Sequence, residues 1–224
     1  MEKYITVTYL NKPKTSYPLK LIKKLFKSGS KGLLEGYLFP EYSHVLDLGS
    51  GRGDYLEAFC YHGFEIEGFD RCIPESPLDT TYNTTLGDLE QPLPYKNNSF
   101  DIIFCKSVIE HLYYPEKTFK EVYRILKEGG AFVVMTPDYD STKQVFNNDF
   151  THRSPFTLKS LEQIYKIHNF RNVTCIKMRQ LPILWKHSYM LPICKIAELF
   201  YNPNTKDIFI KFSKEKMLLS IGIK

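Results

Sequence analysis

Residues 45–55 read VLDLGSGRGDY, and they say more about this chain's architecture than any other stretch. Val45, Leu46 and Leu48 form a short apolar strand, with Asp47 just ahead of the first glycine. Gly49, Gly51 and Gly53 then make a turn where backbone approaches a ligand with no Cβ in the way. Beyond Tyr55, the residues Leu56, Ala58 and Phe59 have helical spacing, and Gly63 is the expected helix stop. Strand, glycine turn and helix make a nucleotide-binding opening. A carboxylate at the strand end suits a ligand with cationic groups better than a pyrophosphate. The rival is a dinucleotide turn, G-x-G-x-x-G. Here the third glycine comes one residue early, and Asp47 would face the phosphate.

Working outward, 224 residues allow one large α/β domain with an ample core and are short for two. An apolar content of 43% and a charged content of 25% are those of an ordinary globular protein. No run approaches the ~18 apolar residues of a membrane span. The opening MEKYITVTYLNKPK lacks an apolar signal core, so the expected location is the cytoplasm. Five cysteines without a C-x-x-C pair read as buried thiols, not as disulfides or a zinc site.

The net charge of +5 is unevenly spread. Residues 45–140 carry 8 Lys and Arg against 17 Asp and Glu, whereas residues 141–224 carry 14 against 5 and residues 1–44 carry 8 against 3. The acidic centre suits a cationic cofactor. The basic flanks suit an anionic acceptor, with nucleic acid or an anionic membrane surface as further partner classes, or are simply solvated lysines.

Residues 1–44 read as an accessory segment. LKLIKKLF, residues 19–26, has the spacing of a short amphipathic helix, and SGSKG at 28–32 reads as a hinge that would let it close over the cofactor or pack on the sheet. From Val45 to Thr136 strands and helices alternate, which predicts a parallel sheet covered on both faces. Strands are expected at 65–69, 84–86, 101–105, 131–136, 173–178 and 217–223. Pro115 opens a helix predicted to run through PEKTFKEVYRILKEGG and stop at Gly129-Gly130. Thr157 caps another, which Asn169 ends. Residues 181–214, with three prolines and several aromatics, read as an insertion before the last strand.

Asp70 lies 23 positions after Asp47, at the end of the second strand, where a carboxylate accepts both ribose hydroxyls of a nucleotide. The plainer alternative is an exposed strand-end aspartate. Asp88 follows the third strand, and LPYKNNSFDIIFCKSVIEHLYYPEKTFKEVYRILKEGGAFVVMTP occupies residues 93–137. Together with D-x-G-x-G-x-G at 47–53, this combination resembles class I S-adenosylmethionine-dependent methyltransferases, in particular their methyltransferase type 11-like domain, over about residues 44–180.

The resemblance implies an α/β fold: a Rossmann-like, seven-stranded, doubly wound sheet with a reversed last strand. To this are added an N-terminal helical segment, 1–44, and the insertion at about 181–214 within a domain spanning 45–224. It implies S-adenosyl-L-methionine as cofactor. Asp47, Gly49, Ser50 and Gly51 would lie under its methionine part, and Asp70 with Arg71 would lie at the ribose. Asp88 and Leu89 would meet the adenine, and the backbone of Lys106 and Ser107 the methionine end. Glu110 and His111 would line the cleft near the sulfonium.

Two patterns of other methyltransferases are absent: no N-P-P-Y or D-P-P-Y follows the fourth strand, and no cysteine pair serves pyrimidine carbon-5 chemistry. The stretch NDFTHRSPFT, residues 148–157, is similar to a D-x-x-H-x-R-x-F-T loop of enzymes acting on lipid headgroups, glycans and other metabolites, although here His152 and Arg153 are adjacent. His152 or His111 is the expected base for an acceptor hydroxyl. Arg153 is expected to hold an anionic acceptor group. His152 as a loop residue bonded to backbone is the alternative. No metal is expected. The resulting reading is an enzyme that O-methylates a sugar, glycan or other small-molecule hydroxyl. RNA or small-molecule N-methylation, and an inactive cofactor-binding partner subunit, are the alternatives.

Overall fold

Val45, Leu46 and Leu48 are fully buried in a central strand, and the rest of the molecule is arranged around it. The computed structural model describes residues 15–26, 42–72 and 82–224. Among these, seven strands form one sheet: β1 (His44–Leu48), β2 (Glu65–Asp70), β3 (Thr84–Leu86), β4 (Phe100–Lys106), β5 (Leu126–Pro137), β6 (Arg171–Arg179) and β7 (Lys216–Ile223). Their order is β3-β2-β1-β4-β5-β7-β6. β1 pairs in parallel with both β2 and β4, while β7 runs antiparallel to β5 and β6. This is the expected doubly wound, Rossmann-like sheet with its last strand reversed.

Alternation along the strands divides the core in two, because successive side chains leave opposite faces. Leu46, Leu48, Ile103, Phe132 and Val134 meet α3 (Pro115–Ile125) and α5 (Leu158–Ile167) through Phe119, Val122, Leu161 and Tyr165, with the single-turn α4 (Tyr139–Thr142) between those two helices in the chain. Val45, Ile102, Phe104, Val133 and Met135 face the other way. They meet α1 (Tyr17–Phe26) and α2 (Asp54–Tyr61) through Leu21, Ile22, Ala58 and Phe59. α1 is therefore packed on α2 and the sheet. Its Tyr17 also stands 5.6 Å from the Trp185 ring of the insertion and donates to Gln180 Oε1. The predicted hinge at 28–32 lies outside the described residues.

The helix opened by Pro115 ends at Ile125, not at Gly129-Gly130 as its period predicts. Its last carbonyls are captured by distant backbone and by Lys224. Asn98 N–H donates to Arg124 O, Ser99 N–H to Ile125 O, and Lys224 Nζ to Leu126 O. Residues 126–130 thereby become the start of β5, and Gly129 takes a φ of 76°. α5 begins as expected at a Thr157–Ser160 capping box, and Asn169 ends it at a φ of 66°.

The insertion folds into short helices, α6 (Pro182–Lys186), α7 (Leu191–Ala197) and α8 (Ile208–Lys214), around Leu181, Leu184 and Cys194. All five cysteines are free, but only Cys105 and Cys194 are buried. Cys60, expected inside, sits on the solvent side of α2 because Ala58 and Phe59 take its inward face. No helix among the described residues is long and apolar enough to cross a membrane.

Gly222 in β7 has no room for a side chain, because a Cβ there would lie 2.5 Å from Tyr165 Cδ1. The Tyr165 ring cannot step aside, since its hydroxyl donates to Phe132 O at 3.1 Å and accepts from Ser220 Oγ at 3.2 Å. Gly222→Ala is expected to cost about 1–3 kcal/mol, the usual penalty of overpacking a core. Chemical denaturation of the variant against the parent checks this.

Candidate active site

The carboxyl ends of β1 and β4 are where the sheet reverses its winding, and such a switch point opens a crevice for a ligand. Gly49, Gly51 and Gly53 line it with φ values of 79°, 54° and 84°, a region that favours glycine. Gly49 is further constrained, since a Cβ would come within 2.2 Å of Val108 Cγ2. The turn is tied to β2. Gly49 N–H donates to Phe69 O at 2.7 Å, and Gly51 N–H donates to Asp70 Oδ2 at 2.8 Å. Asp70 Oδ1 accepts from Cys72 N–H at 3.0 Å, so this carboxylate organises the turn as well as facing the crevice end of β2.

Asp47 is 2% exposed, and its Oδ2 has no hydrogen-bond partner. Burial, reinforced by the charge of Asp70, pushes its carboxyl from 3.8 up to about 8, with Lys106 pulling the other way. The buried Ser50 Oγ is likewise without a partner. Buried oxygens left unpaired under a glycine turn are completed by a ligand or ordered water. A cationic ligand fits this pocket, because it would remove the cost of ionising Asp47. Arg71 donates to Asp88 Oδ2 at 2.8 Å in an exposed ion pair. Burial raises Asp88, but the Glu90 N–H and Arg71 outweigh it and hold the carboxyl below its ordinary range. Leu89 is buried and its carbonyl accepts from Thr118 Oγ1.

At the end of β4, Ser107 adopts a φ of 57°, a left-handed conformation uncommon outside glycine, while its N–H donates to Met135 O. Lys106 Nζ lies 3.3 Å from Ser107 Oγ. Its charge lowers both Asp47 and Glu110, so it bridges the glycine turn and the neighbouring cavity.

That cavity, about 430 Å³, has Ser107, Glu110, His111, Asp149 and His152 in its walls. Its polar wall is assembled by two segments that dock backbone to backbone. Arg153 N–H and Ser154 N–H both donate to Glu110 O, and Ser154 Oγ donates to Leu112 O. The result brings the His111 and His152 rings to 4.8 Å between centroids.

Each ring is oriented by a partner. Thr151 Oγ1 donates to Asp149 Oδ1 at 2.6 Å, so its oxygen accepts from His111 Nδ1 at 2.8 Å. His152 Nδ1 donates to Phe146 O at 2.7 Å, a carbonyl that can only accept, and its Nε2 lies 4.0 Å from Asp149 Oδ2. His152 is thus bonded to backbone through Nδ1, while its Nε2 makes no hydrogen bond to Asp149 at that distance. Burial and the neighbouring His152 push His111 down to about 4. Glu110 is 1% exposed and accepts from Thr136 Oγ1 at 2.9 Å; burial raises its carboxyl to about 7.

Among the expected residues, His111, His152 and Ser107 line this one cavity, whereas Arg153 does not. The Arg153 guanidinium is exposed, bonded to Phe150 O and set 5.2 Å from the Tyr113 ring. The cationic side chains in the cavity wall are instead Lys211 and Lys216, from α8 and β7, which carry no motif. No cluster of metal ligands is visible in the sequence, and the fold brings one together. Glu110, His111 and His152 each bring a ligand atom within 4.8 Å of the others, a convergence created by docking segments some forty residues apart.

A family described as "Methyltransferase domain" matches residues 15–175. An uncharacterized protein of Methanocaldococcus jannaschii is 31% identical over 196 residues, covering 82% of this chain and 84% of that protein. A ubiquinone biosynthesis O-methyltransferase of Pseudomonas fluorescens is 27% identical over 184 residues, covering 72% of this chain and 70% of that one. A solved SAM dependent methyltransferase from Archaeoglobus fulgidus has the same fold, with a TM-score of 0.59 at 20% identity over 83% of this chain and 89% of its own.

Proposed function

Because this chain belongs to the class I S-adenosylmethionine-dependent methyltransferases, we propose that it methylates a hydroxyl of a sugar, a glycan or a comparable small molecule. The observation that carries this reading is the polar cavity of Glu110, His111 and His152, joined through Ser107 and Lys106 to the glycine turn. Bound S-adenosylmethionine supplies a methyl group on an electrophilic sulfonium. The protein has to align the acceptor oxygen with that methyl and take charge of the hydroxyl proton.

Asp47, Gly49, Ser50 and Gly51 hold the methionine part in this reading, with the backbone of Lys106 and Ser107 closing on it. Asp70 accepts from the ribose hydroxyls with Arg71 beside it, and Asp88 with Leu89 faces the adenine. His111 and His152 act on the acceptor hydroxyl. Lys211 and Lys216 in the wall suit an acceptor carrying negative charge. The relative named for ubiquinone O-methylation, aligned over most of both chains, supports oxygen as the atom methylated. Incubating the enzyme with S-adenosylmethionine and a panel of deoxysugar nucleotides and surface glycans tests the proposal. Formation of S-adenosylhomocysteine is expected to rise with a hydroxyl acceptor. A rise with amines only, or with RNA only, would overturn the acceptor class.

Asp47 gives this reading a proton signature. A carboxyl pushed up to about 8 holds its proton near neutrality, and a cationic ammonium beside it favours the ionised form. Cofactor binding near pH 7 is therefore expected to release up to about one proton. Calorimetry of S-adenosylhomocysteine binding in buffers of different ionisation enthalpy reads it directly, and Asp47→Asn is expected to abolish the buffer dependence. Without cofactor the sign is fixed too. The protonated carboxyl favours the folded chain fully below about pH 4, and that contribution is lost as pH rises to about 8.

A further inference from the structure

We propose that Glu110, His111 and His152 form a binding site for a divalent transition-metal ion in the wall of the acceptor cavity. Two imidazoles and one carboxylate are the donor set that zinc, manganese, cobalt and ferrous ions accept, whereas magnesium and calcium favour oxygen-only shells. The three residues offer ligand atoms within 4.8 Å of one another. Bonds of about 2.1 Å place neighbouring ligands roughly 3–3.5 Å apart, so from a span of 4.8 Å the set needs to close by about 1.3–1.8 Å.

The surroundings are those of ligands, not of a chance cluster. The outer nitrogen of a metal-bound histidine ordinarily donates to a carbonyl, a carboxylate or a group tied to one, which fixes the tautomer. Both rings here are held that way. His152 Nδ1 donates to Phe146 O, and His111 Nδ1 donates to Thr151 Oγ1, itself tied to Asp149 Oδ1. With the protons on Nδ1, both Nε2 lone pairs are left to bind a cation. Glu110 is oriented by Thr136 and, being almost fully buried, gains from any cation that compensates its charge.

The catalytic consequence rests on reading this cavity as the acceptor pocket; the binding site itself does not. A bound ion would lower the pKa of the acceptor hydroxyl in place of a free histidine base, so that His111 and His152 would act on that proton through the ion they hold. The proton leaves to solvent, a carbon–oxygen bond forms to the methyl, and the methyl–sulfur bond breaks with its electron pair retained on a now neutral sulfur.

The test uses the tag-free 224-residue chain, stripped with a chelator and titrated with Co²⁺ while its visible spectrum is recorded. One ion per chain is expected, with ligand-field bands and without the intense thiolate charge-transfer absorption that the free cysteines would produce. His152→Asn and Glu110→Gln are expected to weaken binding by more than about 100-fold, and Thr151→Val, which touches only the support of His111, by about 10–100-fold. S-adenosylhomocysteine binding, measured on the same samples, shows that each variant retains its fold and cofactor cleft. Absence of stoichiometric Co²⁺ binding at millimolar concentration overturns the proposal, as does binding indifferent to these substitutions or dominated by thiolate bands. If cofactor binding persists while Co²⁺ binding is absent, only the ion site falls. If folded wild-type chain binds Co²⁺ but not S-adenosylhomocysteine, the methyl-transfer reading falls instead.

Discussion

His152→Ala is expected to lower methyl-transfer turnover by about 100-fold or more, the usual effect of removing a group that handles the acceptor proton. Affinity for S-adenosylhomocysteine should stay within about twofold of the parent, because the ring contributes nothing to the glycine turn's hydrogen bonds. His111→Ala is expected in the same range, since the two rings stand 4.8 Å apart in the wall of one cavity. Single-turnover kinetics with a responsive acceptor separates the chemical step from binding. If both variants keep near-full rates from about pH 6 to 9, no histidine acts on the acceptor. The acceptor would then be an amine or an ionised carboxylate, and the hydroxyl assignment would be wrong.

Asp70→Ala is expected to weaken cofactor binding by about 1.5–3 kcal/mol, the scale of hydrogen bonds to a charged acceptor. That is roughly 10- to 150-fold in Kd. The structure adds a second reason for a large effect. The carboxylate also accepts from Gly51 N–H and Cys72 N–H, so its loss releases the turn as well as the ligand contacts. Asp70→Asn keeps one carbonyl acceptor and is expected to fall between the parent and Asp70→Ala. A loss below about threefold in the alanine variant would place the ribose elsewhere.

The parts of the architecture that were readable are those determined by near neighbours. Asp47 through Gly53 specify strand end and turn because the glycines supply positive φ within five residues. The Thr157–Ser160 cap and Asn169 mark both ends of α5 by local hydrogen bonding alone. Where partners come from afar, the reading faltered. The helical period of PEKTFKEVYRILKEGG continues past Ile125, but Ser99 and Lys224 claim the carbonyls that would extend it. Glu110 and His111 were visible as cleft residues, yet nothing in the spacing to His152 says that Arg153 and Ser154 N–H groups lock onto Glu110 O. Lys211 and Lys216 reach the cavity from a segment without a motif, so they had no signal to read. Arg153, chosen for its charge and position, spends its guanidinium on the carbonyls of its own loop.

Calorimetric titration of the tag-free chain with S-adenosylhomocysteine, and separately with NAD, tests the central claim most directly. The arrangement of Asp47, the three glycines and Asp70 predicts saturable binding of one S-adenosylhomocysteine per chain and no heat from NAD. Folded protein that binds NAD in preference, or that shows no heat with S-adenosylhomocysteine, would contradict it.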